Sequence, residues 1–323
     1  MNPFQEKITQ LRQSITLNVK PLLGKRVIIA DAPYYNNIGD LLIWRGTIDF
    51  LRENGIELLD SYGAGYFSFP NLDKDVTILL MGGGNFGDLW RVLQDIRLEI
   101  IARYPDNRIV MLPQSICYCN MRLIDTDSRL MAAHPDLHLF ARDQASFDIL
   151  STRFSRNHIH LAPDMAFCID DSLLAPHRNH EKGKTLFLLR VDKELPHDAP
   201  TSLQEADVTS DWPTTALSVL TIRILNRAGR IANALRRRGI SSSVIDRAIG
   251  FSGNRFIRDS LTKKGYEFLE PFSRIVTTRL HPMILSVLLH KPAEYIDNSY
   301  GKLSSFALTW LRDLPAIKPY VRD

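Results

Sequence analysis

Short aliphatic runs alternate with segments of helical periodicity along most of the chain. Residues 26–30 (RVIIA), 56–62, 76–81, 108–112, 137–141 and 158–161 read as strands, several of them apolar throughout, as strands covered on both faces are. Residues 40–54, 88–104 and 142–152 carry apolar positions at helical spacing. Gly55 closes the first of these helices and Pro105 the second, and Asp88 is placed to cap the second. A polar stretch at 170–183 then interrupts the pattern. Beyond it, strands are predicted at 184–190, 241–246, 274–278 and 293–297, with helices at 213–238, 255–264, 281–290 and 302–312. Residues 191–212 lack a period and are expected to form a surface loop. Strand–helix alternation of this kind predicts an α/β fold with parallel sheets. The break divides it into two Rossmann-like domains, 1–170 and 171–323, facing each other across a cleft.

Composition narrows the class. Hydrophobic residues are 45% and charged residues 24% of the 323, a globular balance. No apolar run approaches the roughly 18 residues a membrane span needs, and the first twenty residues lack a signal-peptide pattern. A cytoplasmic protein is expected. The three cysteines, Cys117, Cys119 and Cys168, are read as free thiols, with Cys168 in the core. A formal net charge of +4 admits an anionic substrate or membrane surface and does not suggest a nucleic-acid binder. One stretch departs from the average. Between Pro213 and Ile245 there is no acidic residue, and Arg223, Arg227 and Arg230 share one helical face. That face is either simply solvated or rests on anionic lipid or a pyrophosphate.

In an open α/β sheet, ligands bind beyond the carboxyl ends of the strands. Three segments in such positions carry chemistry. After the first strand comes Asn36-Asn37-Ile38-Gly39-Asp40, where Asp40 either caps a helix or faces the cleft as a base for a hydroxyl. After the third comes Gly82-Gly83-Gly84-Asn85-Phe86-Gly87-Asp88, either a tight turn or an anion nest of backbone N–H groups. It is neither a Walker loop nor a dinucleotide fingerprint. Late in the chain stands Thr277-Thr278-Arg279-Leu280-His281-Pro282. Pro282 favours a helix start, a helix start offers free N–H donors, Arg279 forms a fork for carboxylate or phosphate, and His281 carries a proton near neutrality. The bottom-up reading is a site for a small, highly charged anion. Lys302 follows the last strand and either points into the same region or is a plain surface lysine, while Arg190 and Arg142 end strands and are either further anion ligands or ion-pair partners.

The ordered set Asn37-Ile38-Gly39-Asp40, Gly82-Gly83-Gly84-Asn85, Pro113-Gln114-Ser115, Ala141-Arg142-Asp143, Ala162-Pro163-Asp164, Arg279-Leu280-His281-Pro282 and the 300–306 segment with Lys302 resembles the polysaccharide pyruvyl transferase family. The resemblance implies a GT-B-like pair of Rossmann domains, with phosphoenolpyruvate as donor and a pyruvyl ketal on a sugar of an exopolysaccharide, capsule or cell-wall glycan precursor as product. By analogy, Arg279, the Leu280 backbone and His281 bind the donor, Lys302 assists, and Asp40 acts on the acceptor. Asn37, Gly83, Gly84 and Asn85 line the acceptor side, and Arg190 matches a donor-side basic position loosely. No cofactor and no metal are implied, and the acceptor is lipid-linked, nucleotide-linked or polymeric. The alternative is a GT-B glycosyltransferase using a nucleotide-sugar donor. Residues 191–212 match nothing in the family pattern.

Overall fold

The computed structural model describes residues 2–178, 183–192, 194–195, 200–214, 216–236, 238, 240, 248–250 and 253–321. Two all-parallel sheets organise them. The first holds β1 (Arg26–Ala32), β2 (Glu57–Gly63), β3 (Thr77–Leu80), β4 (Gly83–Gly87), β5 (Ile109–Cys117), β6 (Leu137–Ala141) and β7 (His158–Leu161). Its order is β2-β1-β3-β5-β6-β7, with β4 pairing on β5 beyond the end of β3. The second holds β8 (Lys184–Leu188), β9 (Val208–Ser210), β10 (Phe272–Thr277), β11 (Ala293–Tyr295) and β12 (Ile317–Pro319), in the order β12-β11-β10-β8-β9.

Side-chain alternation explains the layering. On β1, Val27 and Ile29 enter one apolar cluster while Ile28 and Ala30 enter another on the opposite face. The first cluster does not stop at the edge of its sheet. It continues through the helices Pro3–Val19, Ile38–Glu53 and Leu280–Leu288 to Leu186 of β8 and Ile275 of β10. The two sheets therefore share one core.

That strand order fixes where a ligand can sit. From β1 the chain moves to β2 on one side and then to β3 on the other. From β8 it moves to β9 on one side and then to β10 on the other. Each sheet thus has a switch point where adjacent connections part and leave a crevice at the strands' carboxyl ends.

Several sequence expectations need correction. The pattern assigns no element to residues 3–19, yet a helix forms there, with Ile8, Leu11, Ile15 and Val19 buried along one stripe. Arg12 ties it down, donating to the carbonyls of Phe167 and Ile169. Residues 121–131 also form a helix that the apolar pattern does not show. Asp88 does not cap the third helix, which begins at Arg91. Its carboxylate instead accepts from the backbone N–H groups of Cys119 and Asn120. The glycine segment is not a turn or nest throughout, since Gly83–Gly87 is strand β4. Segment 255–264 is π-helical through Gly253–Asp259 and α-helical from Ser260. The expected loop 191–212 contains strand β9, paired with β8. The strand expected at 241–246 lies outside the described residues. The three cysteines are free thiols, and Cys168 is buried.

Candidate functional site

Both switch points open into one cavity of about 500 Å³. Asn37, Asp40, Gly84 and Asn85 line it from the first sheet, and Arg190, Arg279, Leu280, His281 and Lys302 from the second. Gly83 is the one sequence-predicted site residue outside the lining. It pairs with Gln114 in the sheet immediately behind Gly84.

The first wall is built around the start of the helix Ile38–Glu53. Asn37 is its N-cap, its side-chain oxygen accepting from the Gly39 N–H at 3.1 Å. Capping is therefore done by Asn37 and not by Asp40. That leaves Asp40 facing the cavity, where it accepts from the Tyr35 hydroxyl and the Asn37 side-chain amide, both at 2.9 Å. Burial, reinforced by Asp40, holds the Tyr35 phenol well above its usual range, so it stays protonated and a donor. The glycine segment beside them is braced from below. Buried Arg97 pairs with Asp31 at 2.7 Å and donates to the Met81 carbonyl at 3.0 Å. A Cβ on Gly84 would lie 3.2 Å from both the Arg142 guanidinium and the Lys302 ammonium, so glycine lets both cations approach the strand backbone.

The second wall carries the cations, and each is matched by a carboxylate. Arg279 holds Asp211 in a two-point fork at 2.6 and 2.7 Å and reaches Asp192 at 3.0 Å. Arg190 and Lys302 share Glu194, each at 2.7 Å, with Asn298 and Tyr300 donating to the same oxygen at 3.2 and 3.3 Å. Burial opposes the charge on Glu194, but Lys302 and Arg190 outweigh it and hold the carboxyl far below its usual range. Burial draws the Lys302 ammonium below its usual range, against the pull of Glu194. For Arg279 burial acts in the same sense, but Asp211 outweighs it and raises the guanidinium.

His281 sits in the first turn of the helix Leu280–Leu288, with Pro282 next to it, as the sequence predicts. Its ring packs against the chain at Gly39, where a Cβ would come within 2.3 Å of Nδ1. Its Nε2 stands 3.6 Å from Asp164 Oδ2, just beyond hydrogen-bond distance. Asp164 is wholly buried and accepts from Arg142 at 2.7 Å and from the Ala166 N–H at 2.9 Å. Burial would raise its carboxyl, but His281 and Arg142 overcome that and hold it at about 2. A fixed negative charge thus stands behind the imidazole.

Sequence reasoning missed Tyr35, Trp90, Asp192, Glu194, Asp211 and Trp212, all of which face the cavity. Arg142 and Asp164 were visible to the rule that chemistry follows strands, since they come directly after β6 and closely after β7. The acids of 191–212 carried no such signal. Among the described residues, Asp136, His138 and His158 stand close enough to share a metal ion, but none of them lines the cavity.

Comparison with known proteins gives a consistent picture. A family model described as polysaccharide pyruvyl transferase matches residues 37–300. EpsO of Bacillus subtilis, named as a candidate pyruvyl transferase, is 33% identical over 97% of this chain and 94% of its own length. Pyruvyl transferase 1 of Schizosaccharomyces pombe is 26% identical over 89% of this chain and 70% of its own. The crystal structure of an uncharacterized Klebsiella pneumoniae protein superposes over the full length of both chains with a TM-score of 0.58 at 19% identity, a likeness of fold alone.

Proposed function

This chain belongs to the polysaccharide pyruvyl transferase family, and from that premise we propose that it transfers the pyruvyl group of phosphoenolpyruvate to two hydroxyls of one sugar, forming a ketal and releasing phosphate. The acceptor belongs to an exopolysaccharide, capsule or cell-wall glycan precursor, and the enzyme works in the cytoplasm with no cofactor or metal. The observation that carries this reading is the single cavity with Asp40 on one wall and Arg190, Arg279, His281 and Lys302 on the other. We assign the first wall, in 1–170, to the acceptor and the second, in 171–323, to the donor, in a GT-B-like arrangement.

The chemistry asks for such a division. A proton must reach C3 of the enol, a hydroxyl oxygen must bond to C2, and the C2–O bond to phosphate must break. A second hydroxyl then closes the ketal, and its proton leaves with the phosphate or a nearby base. The carboxylate and phosphate of the donor need cations, which Arg279, Lys302 and Arg190 supply, together with the N–H of Leu280 at the helix start. His281, backed by Asp164, delivers the proton. Asp40 takes the proton of the attacking hydroxyl, with Tyr35 and Asn37 holding its carboxylate toward the cavity.

Incubation with phosphoenolpyruvate and a panel of free and lipid-linked oligosaccharides tests the reading by phosphate release. Phosphate formed only when donor and acceptor are both present supports it. Nucleotide release from UDP-sugars, with no phosphate from phosphoenolpyruvate, would establish the glycosyltransferase alternative instead.

A further inference from the structure

We propose that the helix Ala216–Arg236 is a membrane-contact element that lies on an anionic phospholipid surface. At 3.6 residues per turn, its outward side divides into two strips. Leu220, Ile224 and Ile231 fall within about 40° of arc, and they are 54%, 57% and 51% exposed. Arg223, Arg227 and Arg230 occupy about 60° immediately beside them, and all three are exposed. Ile222, Leu225 and Ala232, on the opposite side, are buried and hold the helix to the protein. A helix that only faced water would have no use for three half-exposed aliphatic side chains on its outer side. An aliphatic strip flanked by arginines is the arrangement that suits an interfacial helix.

Charge selects the occupant. Between Pro213 and Ile245 no acidic residue offsets these arginines. Among the described residues Arg230 donates to its own helix, at the Asn226 carbonyl. The complementary surface is therefore negative and apolar just beneath, as anionic lipid is. The helix is also rooted at the cavity. Thr214, just before it, lines the cavity and accepts from Asn36, and Asn226 donates to the Tyr34 carbonyl. The contact would thus set the acceptor wall beside the membrane. Its use for a lipid-borne acceptor rests on the proposed pyruvyl transfer, whereas vesicle binding itself does not.

Co-sedimentation of the full chain with vesicles tests this without any substrate. One set is phosphatidylcholine alone, and the other is phosphatidylcholine with one third phosphatidylglycerol. The protein is expected to pellet with the anionic set only, and to be released as salt is raised. Arg223→Gln/Arg227→Gln/Arg230→Gln should lower the bound-to-free ratio roughly a hundredfold, at about tenfold or less per arginine. Ile224→Ser/Ile231→Ser should weaken binding while leaving its salt dependence intact. Both sets of side chains are exposed, and Arg227→Glu alone provides an independent arm. Wild-type protein that stays in the supernatant with anionic vesicles overturns the proposal, as do variants that bind like wild type. A dimer in sedimentation equilibrium that Ile224→Ser/Ile231→Ser dissociates overturns it in favour of a second copy on this face.

Discussion

At the first switch point the groups facing the cavity are amides, a phenol and the carboxylate of Asp40, while at the second they are three cations locked to acidic partners. The backbone device is the same in both sheets, a parting of connections on either side of one strand. The difference lies in what the following residues carry. The first wall offers its carboxylate in a hydrogen-bonded but uncommitted state, ready for a neutral hydroxyl. The second meets every positive charge with Asp192, Glu194 or Asp211. If the second wall takes the donor as proposed, the incoming polyanion must compete with these carboxylates for the cations. The two walls share a backbone device, so the proposed division between donor and acceptor rests on side-chain charge and not on fold.

The comparison breaks first at the groups proposed to transfer protons, one per wall. His281→Ala and Asp40→Asn should each lower kcat by roughly a hundred- to ten-thousandfold, read by phosphate release, with circular dichroism unchanged. Turnover of His281→Ala near that of wild type contradicts its role. A smaller but still large effect is expected at the seam between the walls. Gly39→Ala places a methyl group against the His281 ring, and a displacement on the order of 1 Å is expected to cost about a hundredfold in kcat/KM. Full activity would show that the ring need not rest on the first wall.

Glu194→Gln sharpens the idea of internal competition. Lys302 and Arg190 lose their shared counter-charge, and stability measured by denaturant titration should fall by about 3 kcal/mol. Phosphoenolpyruvate should nevertheless bind about tenfold more tightly, since the competing carboxylate is gone. Weaker binding would make Glu194 a positioning residue and not a stand-in for the donor. The smallest effect is one of pH. The Asp164 carboxyl is held at about 2 in the fold, below the unfolded value of roughly 3.9. A depressed carboxyl favours the folded state above its unfolded pKa. The contribution, between about 2 and 3 kcal/mol, is therefore full above pH ~5 and is lost progressively as pH falls toward ~1. Asp164→Asn should abolish that part of the acid slope in unfolding curves.

How legible these features were in the sequence follows from what signals each. Strands β6 and β7 coincide with their predicted limits because Asp136 and Arg142 bracket the first, and Asn157 and the Ala162-Pro163 pair bracket the second. The residues after β1, β8 and β10 were readable because parallel topology sends strand ends to a common face. The helix Met121–Met131 was not, since one of its inward residues is the buried acid Asp127, held by Arg91 and Tyr118, and an apolar pattern misses such an anchor. Strand β4 looked like a turn because its glycines have no side chain to show a period of two, and only pairing with β5 extends it. Glu194 and Asp211 were illegible for a different reason. Glu194 has a near partner in Arg190, four residues back, but its meeting with Lys302 and that of Asp211 with Arg279 each span over sixty residues, and no local spacing encodes them.

The central claim is that donor and acceptor are held by different switch points, and calorimetric titration of phosphoenolpyruvate in the absence of acceptor tests it most directly. The account predicts that Arg279→Ala weakens binding by about a hundredfold, the loss of one charge-assisted fork, while Asp40→Asn binds like the wild type. Equal weakening by both, or none by Arg279→Ala, would contradict it.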